Sequence, residues 1–133
     1  MEYSKESTRN GVITIKPEAV FNKKGWGYER VIHNDSDYCS KILHFKMGGK
    51  SSFHFHVCKK ESWYVASGIF ILKYIDTRNA DIKEVQLCEG DIVSLNIGVV
   101  HQLYAVTEGE IFEASQSDME SDSFRIEKGD SQK

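Results

Sequence analysis

The stretch GGKSSFHFHVCKKESWYVASG, from Gly48 to Gly68, decides the fold of this 133-residue chain. Its first half alternates: Phe53, Phe55 and Val57 fall on one face of an extended strand, His54 and His56 on the other. A short turn of Cys58, Lys59 and Lys60 follows, and Glu61 opens a second segment that ends at Gly68. Residues i and i+2 of a strand project the same way, about 7 Å apart, so two imidazoles can converge on one ion. If the next strand pairs antiparallel, the Glu61 carboxylate reaches the same point. The pattern is equally that of a plain strand–turn–strand with its polar residues on a wet face.

Strand signals dominate the rest of the chain. Short runs at 12–15, 28–33, 40–47, 53–57, 61–66, 69–75, 83–88, 91–95, 99–106 and 111–115 read as strands, the 69–75 run apolar enough to be covered on both faces. No stretch keeps a long 3.6-residue period, and 17–22 holds one helical turn at most. About ten short strands punctuated by Gly, Asn and Asp predict an all-β sandwich or barrel. Edges must be closed or covered in such a fold, which favours a jelly-roll β-barrel.

The length fits one domain, 1–133, with a barrel core of about 24–126 and flexible polar ends at 1–10 and 127–133. A composition of 40% hydrophobic and 28% charged residues is that of an ordinary globular protein. The net charge of −3 argues against nucleic-acid or anionic-membrane partners. Cys39, Cys58 and Cys88 form no CxxC pair and read as reduced thiols of a cytoplasmic protein. The start, MEYSKESTRN, lacks the apolar core of a signal peptide, and no apolar run approaches the ~20 residues of a membrane span.

A fourth ligand to join His54, His56 and Glu61 must come from a strand distant in sequence. His101 is the histidine placed for it, in a strand that follows the turn Asn96-Ile97-Gly98. Such a mixed nitrogen and oxygen set suits a divalent first-row transition metal (Zn, Mn, Fe, Ni or Co) with positions left open for water or substrate.

Gly48-x5-His54-x-His56-x4-Glu61-x6-Gly68 resembles the first cupin motif at every defining position. Gly90-x5-Asn96-x-Gly98-x2-His101 resembles the second, with Asn96 in place of the usual proline and Ala105 in place of the usual asparagine. The resemblance implies a single-domain cupin jelly-roll barrel with His54, His56, Glu61 and His101 as metal ligands inside it, and a chain that forms a homodimer. It leaves the reaction open, since this fold hosts isomerases, epimerases, dioxygenases, decarboxylases, storage proteins and sensors.

More of the chain, from Lys24 to Glu127, resembles the C-terminal cupin domain of type II mannose-6-phosphate isomerases. Lys24-Gly25-Trp26-Gly27-Tyr28-Glu29 is similar to that family's KPWGxYE entry, and Glu61-Ser62-Trp63-Tyr64-Val65-Ala66-Ser67-Gly68 to its EHWxVVSG stretch. Phe112-Glu113-Ala114 and Asp122-Ser123-Phe124-Arg125 are similar to its later IEV and DDIVR segments. Four positions depart from the pattern: Gly25 stands for the usual proline, His54 for Gln, Lys59 for the Arg before the motif glutamate, and Gln102 for the Arg after the second-motif histidine. Loss of the cation at position 102, at the mouth, weakens the expectation of mannose 6-phosphate itself.

The expected partner is therefore a small sugar or sugar phosphate, and the expected reaction an aldose–ketose isomerisation. That reaction needs a polarised carbonyl and a base that moves a proton between neighbouring carbons. Glu113, in an otherwise apolar Ile-Phe-x-Ala setting, is the candidate base; the alternative is a carboxylate at the rim or paired to Arg125. Lys59, Trp63, Gln102, Tyr104, Arg125 and His44 are candidate substrate contacts, with plain core packing the alternative for the aromatics and solvent for the lysines and for His44. A metal-dependent dioxygenase and a sugar sensor without turnover are the competing functions.

Overall fold

The computed structural model describes residues 11, 12, 14, 16 and 20–133. Eleven strands lie among the described residues: β1 (Phe21–Lys24), β2 (Gly27–Asn34), β3 (Cys39–Phe45), β4 (Phe53–Phe55), β5 (Glu61–Ser67), β6 (Phe70–Ile75), β7 (Ile82–Leu87), β8 (Ile92–Leu95), β9 (His101–Ala105), β10 (Gly109–Ser115) and β11 (Phe124–Glu127). They form a six-stranded sheet ordered β1-β2-β3-β10-β5-β8 and a five-stranded sheet ordered β11-β4-β9-β6-β7. The pairings in both sheets are antiparallel. Two facing antiparallel sheets of this order make the expected all-β jelly-roll barrel. No helix among the described residues is long and apolar enough to cross a membrane.

The two-residue side-chain period sets what lies inside. In the six-stranded sheet, Leu43, Ile111 and Val65 stand in register across β3, β10 and β5. One step along the same inward face, Lys41, Glu113 and Trp63 form the next row. The barrel interior therefore grades from apolar to charged along its length. At the apolar end Trp26 stacks on Phe45 at 4.2 Å, and Phe45 meets Phe70 edge-on at 5.5 Å. Val65, Phe70, Ala105 and Ile111 are fully buried there.

Several sequence-derived boundaries shift. The expected 17–22 helical turn is present at Val20, which is in a 3-10 turn, and gives way from Phe21 to β1, whose four residues pair with Lys24↔Gly27 through Phe21↔Arg30 of β2; residues 17–19 lie outside the described residues. Of the 12–15 strand, Val12 and Thr14 belong to no strand, and residues 13 and 15 lie outside the described residues, as does the 1–10 end. Strand β11 was not expected; it pairs antiparallel with β4, Arg125 opposite His54. Nor does the chain end fray from 127: Ser131 Oγ accepts the Gly25 N–H at 3.0 Å and Asp130 accepts the Lys50 N–H at 2.8 Å. The 40–47 strand has its phase opposite to the pocket-facing placement of His44. Cys39, Lys41, Leu43 and Phe45 turn inward and are buried, so Ile42 and His44 turn out.

The bracketing glycines have a backbone reason. Gly68 (φ 88°) and Gly98 (φ 84°) occupy the left-handed region, and a Cβ on Gly68 would lie 2.7 Å from both the Glu108 carbonyl oxygen and the Gly109 Cα.

Phe45, 1% exposed, sits where three aromatic rings meet. Phe45→Ala is expected to cost about 3–5 kcal/mol, read as a lower urea midpoint at an unchanged m-value.

Candidate metal centre

Three imidazoles converge at the charged end of the barrel. His54 is in β4, His56 just past its end, and His101 opens β9 directly opposite His54. One ring nitrogen from each lies within 4.8 Å of the others. Their ring centroids are 4.5 to 5.7 Å apart. Glu61, at the first position of β5 in the other sheet, closes the fourth side: its Oε1 is 3.3 Å from His101 Nε2 and its Oε2 is 3.7 Å from His56 Nε2.

Which nitrogen carries each proton follows from the partners. The Nδ1 of His54 lies 2.8 Å from the Ser52 carbonyl oxygen, that of His56 2.8 Å from the Asp122 carbonyl, and that of His101 2.8 Å from the Val99 carbonyl. A carbonyl only accepts, so each Nδ1 is the donor and each Nε2 lone pair faces the cluster. Burial, reinforced by His101 and His56, pulls His54 down to about 3, and burial lowers His56 also. Both rings are therefore neutral ligands near pH 7. With its Nδ1 on the Val99 carbonyl, His101 turns its Nε2 toward the Glu61 carboxylate at 3.3 Å, an approach that a bound cation would bridge.

The donor set fits a divalent transition metal: three imidazoles oriented by backbone carbonyls, one ionised carboxylate, and a buried Glu61 Oε2 with no hydrogen-bond partner. Burial pushes the Glu61 carboxyl up, but the positive side of His101 and Lys59 overrides it and holds the group ionised.

Beyond the cluster lies a second set of charges. Lys59, 4% exposed, places its ammonium 2.8 Å from Asp118 Oδ1 and 3.5 Å from both Glu61 and Glu113. Lys41 lies 2.8 Å from Asp118 Oδ2 and 3.4 Å from Glu29. Burial opposes the charge on each lysine, yet the surrounding carboxylates, Glu113 first, hold both above the ordinary lysine value. Glu113 is the exception among the acids. Burial, and then repulsion from Glu61, push it up to about 7 against the pull of Lys59 and Lys41. Trp63 Nε1–H points at its Oε1 from 3.4 Å, while its buried Oε2 has no hydrogen-bond partner.

The segment after β10 locks this end of the barrel. Asp118 bridges the two lysines, and the short 3-10 turn Glu120–Asp122 delivers Asp122 beneath the ligand loop. There Asp122 Oδ1 accepts the N–H groups of Val57 and Cys58 at 2.9 and 3.0 Å, while its carbonyl orients His56. Asp122 is 2% exposed.

His54, His56, Glu61, His101, Lys59, Trp63, Glu113 and Arg125 all line one cavity of about 630 Å³. Glu113 is neither at a rim nor paired to Arg125; it stands on the cavity wall beside Lys59. Lys59 is not solvated: its charge is committed to three carboxylates. The other three candidates lie outside the cavity. Gln102 turns out from β9, buried under the 50–52 segment, and donates to the Ser51 carbonyl at 2.9 Å. Tyr104, on the same outer face, is 42% exposed. His44 stacks on Tyr28 at 4.6 Å and bonds Glu108 and Glu110 on the outside of the six-stranded sheet. Strand alternation explains all three, since Gln102 and Tyr104 flank the inward Leu103 and His44 flanks Leu43 and Phe45. The sequence reading missed Lys41, Glu29, Asp118 and Asp122. A lysine at every-second spacing with Cys39, Leu43 and Phe45 was the available signal for Lys41; the others sit on no readable period.

The sequence matches no family profile and no curated protein sequence. Solved structures do match. The capsular polysaccharide assembling protein CapF of Staphylococcus aureus superposes with a TM-score of 0.70 at 17% identity, over 80% of this chain and 34% of its own. Oxalate decarboxylase of Bacillus subtilis, in a form with one tryptophan replaced by tyrosine, superposes with a TM-score of 0.71 at 18% identity, over 80% and 30%. Mn(II) centres are described in that decarboxylase. This is the cupin fold. The chain spans about a third of the length of these cupin structures.

Two outcomes test this site. Asp118 lies below the ordinary carboxylate range because Lys41 and Lys59 outweigh its burial. A depressed carboxyl stabilises the fold above its unfolded pKa and loses that contribution as pH falls through its folded one. Asp118→Asn should therefore lower the melting temperature at neutral pH and flatten its fall below about pH 5. Asp122→Ala frees the ligand loop, so metal affinity by chelator competition should drop about 10–100-fold, whereas His101→Ala should remove most bound metal. Unchanged affinity in Asp122→Ala would contradict the assigned role.

Proposed function

We propose that this chain is a metal-dependent cupin that interconverts an aldose and a ketose, acting on a sugar or sugar phosphate. The observation that carries the reading is Glu113: a buried carboxyl with one oxygen that has no hydrogen-bond partner, on the same cavity wall as the metal-ligand cluster. His54, His56, Glu61 and His101 are the residues that hold the metal. When bound, the metal supplies Lewis-acid polarisation of a carbonyl oxygen. The rest falls to the chain's own groups.

Glu113 takes the proton from the hydroxyl-bearing carbon beside the carbonyl and returns it to the former carbonyl carbon, while the proton of that hydroxyl passes to the former carbonyl oxygen. Its raised pKa suits both directions of transfer near neutral pH. Lys59 holds the carboxylates of Glu61 and Glu113 at fixed separation. The Trp63 ring, 5.5 Å from His101 and 4% exposed, is an apolar wall for the sugar carbons. Arg125, on the exposed mouth strand opposite His54, is placed for an anionic substituent. A cavity of about 630 Å³ accommodates a ligand of sugar-phosphate size. Support from a neighbour comes through CapF, described as assembling capsular polysaccharide. Free Cys39, Cys58 and Cys88 suit a reducing, cytoplasmic setting.

The test is exchange from heavy water. The metal-loaded protein, screened against aldose and ketose phosphates and the free sugars, should incorporate deuterium at the carbon beside the carbonyl. Binding without incorporation would mean a sensor, and oxygen uptake with Fe(II) a dioxygenase; either result overturns the reading. Glu113→Gln should lower kcat about 10²–10⁴-fold. Because the base must be deprotonated, wild-type kcat/KM should rise with pH along a limb whose midpoint is about 7, well above the ordinary carboxylate range, and Glu113→Gln should lose that limb.

A further inference from the structure

The two sheets leave a seam. One sheet has β1 at its edge and the other has β11, and no backbone ladder joins these two edges among the described residues. The seam is closed instead by the short 3-10 turn Asp130–Gln132, which follows β11. On one side the Asp130 N–H donates to the Lys50 carbonyl at 2.9 Å, and the Lys50 N–H donates to the Asp130 carboxylate at 2.8 Å. On the other, just past β1, the Gly25 N–H donates to Ser131 Oγ at 3.0 Å. The turn is a clasp between the sheets.

Two glycines admit it. A Cβ on Gly25 would collide with the Asp130 carbonyl, and one on Gly129 with the backbone of Ser51 and Ser52. Gly25 is also the position where this chain departs from the proline of the pattern it resembles. Proline has a ring and no N–H, so it could neither leave room for the turn nor donate to Ser131. The clasp therefore depends on residues particular to this chain.

Ser131 and Gln132 line the cavity that also holds the metal-ligand cluster. The clasp uses both side chains as acceptors: Ser131 Oγ takes the Gly25 N–H, and Gln132 Oε1 takes the Gly129 N–H at 3.0 Å. The Ser131 hydroxyl proton and the Gln132 NH2 group are left without an acceptor among the described residues. Arg125 joins them on the cavity lining. It stands opposite His54 in the β4–β11 pair, so its side chain leaves the sheet on the face of that ring. Its guanidinium has no ion pair among the described residues. Hydroxyl, carboxamide NH2 and guanidinium all donate, and the acceptor such a wall calls for is oxygen.

We propose that Ser131 and Gln132, together with Arg125, bind the oxygen-rich end of the substrate, phosphoryl or hydroxyl, that lies away from its carbonyl. The substrate class rests on the sugar or sugar-phosphate reading above. Gln132 is the specificity-determining residue, because the Gly129 N–H occupies its carboxamide oxygen and leaves the NH2 as the group on offer.

Calorimetric titration of the metal-loaded full chain with mannose 6-phosphate, fructose 6-phosphate and the two free sugars tests it. Gln132→Glu keeps an oxygen for the Gly129 N–H and replaces the NH2 with a second acceptor. It should weaken the best-bound of the four about tenfold or more, with metal content and melting temperature unchanged. Should that variant not fold, Gln132→Met, of similar length and without the donor, takes its place. Gly25→Ala, which displaces the turn, should weaken the same compound. A loss confined to the phosphates places a phosphoryl group at the clasp, and an equal loss for the free sugars places hydroxyls there; either result supports the assignment. Wild-type affinity in the Gln132 variants, or no binding of any of the four to the wild type, would overturn it. Deuterium exchange reports separately on the reaction: binding that depends on Gln132 but gives no exchange keeps the clasp and sinks the isomerase.

Discussion

A carboxylate and three imidazole lone pairs that face one another inside a barrel call for positive charge among them. The three Nδ1 protons are fixed on backbone carbonyls, so the three Nε2 atoms have none to spare for Glu61. Glu61, 5% exposed, approaches two of those nitrogens at 3.3 and 3.7 Å. A divalent cation meets the constraint, because it engages all four groups at once. The placement of the strands can be read outward from this requirement: β4 and β9 must pair at His54 and His101, and β5 must begin where the two sheets approach.

The lysines extend the same logic. Isolated, each buried ammonium or carboxylate would cost several kcal/mol in desolvation. Lys59 is matched by three carboxylates and Lys41 by two, with Asp118 shared between them. Asp118 and Asp122 both come from the segment before β11, so the last strand pairing and the charge network support each other. Glu113 is left with the weakest compensation, a 3.5 Å ion pair and a 3.4 Å indole contact. That imbalance separates its protonation behaviour from that of Glu61, although both carboxyls face the same ammonium. Two carboxyls pushed apart in this way are a usual signature of divided roles in proton transfer.

Much of this was legible in the sequence, for a physical reason. Period-2 alternation is local, so Phe53-His54-Phe55-His56 announced its two faces, and left-handed turns at Gly68 and Gly98 marked where strands end. The meeting of His101 with His54 is non-local, yet the glycine turn before it made it visible. What failed did so where alternation alone gives no phase. His44 and Lys41 lie on one strand, and the apolar spacing fits either face until β10 and β2 are seen to pair with it. Gln102 and Tyr104 failed for the same reason on β9. Strand β11 and the Asp118–Asp122 bridge were hidden because a four-residue exposed strand and a 3-10 turn carry no hydrophobic period.

The account stands or falls on the four-residue metal site. X-ray absorption at the metal edge of the protein reconstituted with one divalent transition metal reads the ligand set directly. The account predicts three imidazole nitrogens and a carboxylate oxygen, with one imidazole signature lost in His54→Ala. A shell of oxygen atoms alone, unchanged in His54→Ala, would contradict it.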